Sequence, residues 1–63
     1  MDAIQLLLSK NKEEREVQTG YLANGAAKDY AEYRSICGVI RGLDIANQHL
    51  NDLAKRMETD TDE

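Results

Sequence analysis

Sixty-three residues make at most one domain, and a chain this short buries little apolar surface by itself. The single Cys37 closes no internal disulfide, and one histidine beside it cannot complete a zinc shell, so association with another chain is the remaining route to stability. A net charge of −4, from 12 acidic and 8 basic residues, argues against a duplex-binding protein, which needs clustered Lys and Arg to neutralise phosphates.

The longest apolar run, the leucines at 6–8, is far short of the roughly 20 residues that cross a bilayer, so no membrane contact is expected. The opening Met-Asp, without an early basic cluster or a small-residue cleavage site, does not suggest a secretory signal. The unpaired Cys37 suits a reducing cytoplasm. With no proline, tryptophan or phenylalanine and with abundant Ala, Leu, Glu, Lys, Arg and Gln, the composition predicts an all-α fold.

In chain order, the first predicted helix covers about residues 2–22. Asp2 is placed to cap it, accepting from unpaired backbone N–H groups. Ile4, Leu7 and Leu8 form one apolar end and Val17, Tyr21 and Leu22 the other, while the charged "KNKEERE" between them gains little burial. The turn is expected at residues 23–25, where Asn24 and Gly25 tolerate a left-handed backbone; Gly20 is a competing stop, and one unbroken rod is the alternative.

The main helix is predicted over about residues 26–57. Tyr33, Ile40, Asn47 and Ala54 repeat every seven residues, as do Ile36, Leu43, Leu50 and Met57, which together make an a/d seam. Val39, Ala46 and Leu53 widen the seam on one side, and Arg34, Arg41, Gln48, Asp52, Lys55 and Arg56 form the solvated face. Asn47 either sits within a seam, fixing register, or lies at its wet edge. The acidic residues 58–63 are expected to be disordered.

Gly38 and Gly42, with Ala31 and Ala46, are read as a small-residue groove flanking the leucine stripe. Each glycine costs about 1 kcal/mol of helix stability relative to alanine, which close approach of a second helix would offset. The other reading is a kink or soft spot. Tyr30 and Ile45 lie off the seam and, with Cys37, are candidates for an apolar patch in which Tyr30 and Tyr33 act as anchors.

No convergent nucleophile, base and orienter can be assembled, so no catalytic residue, cofactor or metal site is assigned. His49 is expected to pair with Asp52 at the surface, and Cys37 to behave as a small buried hydrophobe. Isolated carboxylate pairs such as Asp29 and Glu32 do not make a metal site.

Residues 25–58, through Gly25, Ala27-Lys28-Asp29, Tyr33, Gly38, Ile40, Gly42-Leu43, Ala46 and Asp52-Leu53, resemble small uncharacterised proteins encoded by tailed bacteriophages. That resemblance implies a phage origin and a helical hairpin, with no activity to carry over. The expected molecule is an antiparallel helical hairpin paired into a dimeric four-helix bundle through Tyr30, Tyr33, Ile36, Cys37, Gly38, Ile40, Gly42, Leu43, Ala46, Leu50 and Leu53. The expected role is that of a non-enzymatic phage structural or interaction protein that binds its own copies and a phage or host protein, in the host cytoplasm or the virion. An acidic inhibitor docking on a basic host-enzyme surface is the alternative.

Overall fold

The computed structural model describes residues 2–61, with the side chains of residues 2–58. Two helices, α1 (Ala3–Ala23) and α2 (Tyr30–Thr61), pack against each other as an antiparallel hairpin measuring 53 × 19 × 12 Å. No described helix is long and apolar enough to cross a membrane.

α1 starts where the sequence predicts. Asp2 is extended, and its carboxylate accepts from the Gln5 backbone N–H at 2.8 Å. The charged centre does not interrupt the helix, and Gly20 lies inside it. α1 ends in a Schellman motif: Gly25 takes φ 72°, its N–H donates to the Leu22 carbonyl, and the Ala26 N–H donates to the Tyr21 carbonyl at 2.9 Å.

α2 begins at Tyr30, four residues later than the sequence reading, because Asp29 sets the start. The Asp29 carboxylate accepts from the Glu32 N–H, the Glu32 carboxylate accepts from the Lys28 N–H, each at 2.8 Å, and the Asp29 carbonyl accepts from the Tyr33 N–H. This reciprocal arrangement resembles a capping box, and it is the work that the Asp29/Glu32 pair performs. At the other end α2 runs to Thr61, past Met57. The acidic tail expected at 58–63 therefore falls partly on this helix; residues 62 and 63 lie outside the described residues.

The register is fixed by the bond from Asn11 Nδ2 to Asn47 Oδ1, 2.9 Å across the helix pair. Counting in heptads from that layer places Leu8 opposite Leu50, Ile4 opposite Ala54, Gln18 opposite Ile40 and Leu22 opposite Ile36, and all eight are half-buried. Ile4 and Ala54 also line one shallow depression at the open end of the hairpin. Arg15, the remaining seam position of α1, reaches Asp44 beside Leu43 in a 2.7 Å ion pair. Asn47 thus occupies the seam within one chain. The seam of α1 is polar for its middle two turns, so its apolar contribution comes from its ends.

Candidate interaction surface

Among the described residues none is buried, and Leu7, Tyr21, Val39 and Leu53 remain 49%, 47%, 43% and 47% exposed. A sheet of two helices has no interior layer. What distinguishes the exposed apolar residues is where they lie. Val39, Ala46 and Leu53 each precede an a position of α2, and Leu7, Glu14 and Tyr21 hold the same place on α1. In an antiparallel pair such positions on both helices fall on one side of the seam.

The hairpin is therefore two-sided. One side carries Leu7, Tyr21, Val39, Ala46 and Leu53, interrupted by Glu14; the other carries Gln5, Lys12, Thr19, Asp44, Asn51 and Glu58. Met57, 53% exposed, continues the α2 seam at the open end, beside Ile4 and Ala54. The sequence reading placed Leu7 with Ile4 and Leu8, and Tyr21 with Leu22. The structure separates them, because one residue is a turn of about 100° and moves a side chain from seam to flank.

The residues expected to form an intermolecular interface divide into three groups. Ile36, Ile40, Leu43 and Leu50 are half-buried in the layers that face α1. Ala46, half-buried, and Leu53 lie on the apolar flank with Gly42 beside them. Gly38 lies nearly opposite the seam, about 200° around the helix from both Ile36 and Ile40. A Cβ added at Gly38 or Gly42 would meet nothing within 4 Å, so α1 is not the helix that approaches them closely. α2 runs unbroken through both glycines.

Tyr30, Tyr33 and Cys37 lie at the turn end, away from the apolar flank. Ile45, expected beside them, is 42% exposed and lies elsewhere. The two tyrosine rings stack with centroids 6.3 Å apart, and the Arg34 guanidinium carbon sits 6.0 Å from the Tyr30 ring centre. These side chains, with Gly38 and Arg41, line an open groove suited to an aromatic or anionic group. Hydrogen bonding to the Cys37 side chain, then the charge of its thiolate, raises the Tyr33 pKa above the ordinary tyrosine range. Cys37 is half-buried and unpaired, not fully enclosed as expected. His49 and Asp52 form no ion pair with each other, and both are exposed.

Among the described residues no group of three His, Cys, Asp or Glu is placed to hold a metal ion. Comparison with family models, with curated proteins and with solved structures finds no match. The fold and surface therefore define the molecule by themselves: a helical hairpin with one unpartnered apolar side.

Proposed function

We propose that this protein is a non-enzymatic interaction module which works by docking helix on helix, first with its own copies, as a four-helix assembly of two hairpins. The observation that carries this reading is that no described residue is buried while Leu7, Tyr21, Val39 and Leu53 are exposed on one side. Covering that side supplies the apolar burial that a single hairpin lacks. In the phage setting implied by the resemblance of residues 25–58, such an assembly serves as a virion, assembly or adaptor component. Sedimentation equilibrium tests the first step. A mass twice that of the 7.1 kDa chain supports self-association, and a helical monomer at all accessible concentrations overturns it.

A further inference from the structure

We infer that a second copy of this chain docks on the apolar side antiparallel to the first, so that Lys10 of each copy meets Glu14 of the other and Leu53 of each meets Val39 of the other. This rests on the self-association proposed above and adds the face, the occupant and the register.

The exposed area is of the right size for such an occupant. The chain exposes 5137 Å². A compact monomer of this mass would expose about 4100 Å², and the difference of about 1000 Å² is close to what each partner buries in a stable interface of ordinary size, about 800 Å².

The charges say how the copy lies. Lys10 and Glu14 are exposed one turn apart on the apolar side of α1 and make no ion pair with each other; Glu14 instead accepts from Gln18. A parallel copy would set lysine on lysine and glutamate on glutamate. An antiparallel copy with its twofold axis level with residue 12 sets Lys10 on Glu14 twice. The same axis puts Leu7 on Val17 and Ala3 on Tyr21, which are apolar matches along the rest of α1.

α2 fits the same axis. Asn11 opposite Asn47 makes residue 12 of α1 level with Ala46 of α2. Antiparallel pairing about Ala46 places Leu53 over Val39 twice and Ala46 over Ala46, apolar on apolar along the flank of α2. Shifting the axis to centre Gly42 on Ala46 would bring it level with residue 14 and set Glu14 against Glu14, a like-charge contact.

The test is sedimentation equilibrium of the full chain and three sets of variants. Lys10→Glu and Glu14→Lys should each raise the dimer dissociation constant about tenfold, through two symmetric like-charge contacts, and the double exchange should return it to within about twofold of the original. Ala46→Glu sets two carboxylates against each other at the axis and should weaken the dimer by at least about tenfold while the helical signal of the hairpin persists. A monomeric parent chain overturns self-association and this inference together. A dimeric parent whose single charge variants bind as before, or whose double exchange restores nothing, overturns the register and leaves self-association standing. Undiminished dimerisation of Ala46→Glu overturns the placement of the axis at Ala46.

Discussion

At position 47 the α2 seam carries an amide where a leucine would bury more apolar surface, and α1 answers it with Asn11. The pair satisfies one donor and one acceptor only if these two layers align, so it specifies register at the expense of burial. Asn47→Ala should lower hairpin stability by about 1 kcal/mol by leaving the Asn11 amide without its acceptor, as measured by urea denaturation. Replacing both by leucine should restore or exceed the original stability and loosen the register, which cross-strand distance measurements on labelled chains would detect. Tyr33 offers a second residue-scale check. Its raised pKa means that the folded chain favours the neutral phenol. Whatever stability this contributes is present below the ordinary tyrosine range and is lost as pH rises through the raised value. Cys37→Ala removes the first cause, so ultraviolet titration should show Tyr33 ionising at lower pH than in the parent chain.

The elements begin and end for reasons that differ in how openly the chain displays them. Asp29→Ala should cost about 1 kcal/mol through loss of the α2 cap, and Gly25→Ala should cost about as much because a Cβ is strained at φ 72°. Gly42→Ala should change hairpin stability in the opposite direction, since that glycine is helical and open around its added Cβ; thermal melts at low concentration compare all three. Residue types at fixed offsets made Asp2, Gly25 and the α2 seam legible in the sequence. Asp29-x-x-Glu32 carried an equally local signal, but helix-favouring Ala26 and Ala27 masked it and moved the expected start forward. The seam of α1 was hidden for a different reason. Asn11, Arg15 and Gln18 occupy three of its six positions, so apolar periodicity reported only the ends and mixed Leu7 and Tyr21, which face outward, with Leu8 and Leu22, which face α2. From the sequence alone the glycines form a groove close to the leucine stripe. Their distance from the seam became visible only once the α1 partners of Ile36 and Ile40 were fixed.

At the scale of the whole molecule the decisive quantity is what a lone hairpin leaves exposed. With no buried side chain among the described residues, hydrophobic stabilisation must come from half-covered positions, and ordering two helices consumes much of it. If the apolar side is covered by a second copy, folding and association become one equilibrium, and stability follows mass action. The transition temperature should then rise by about 5 °C for each tenfold increase in concentration, given the unfolding entropy expected for two chains of this length. Circular dichroism melts across a hundredfold concentration range, about 10 °C of expected movement, measure this directly. The polar side makes the result specific, because reversing Lys12 there should leave the slope unchanged, whereas Leu53→Glu should flatten it and lower the transition together. A transition that holds its temperature at every concentration would mean that the half-covered seam between α1 and α2 suffices, and that Leu7, Tyr21, Val39 and Leu53 face water in the working molecule.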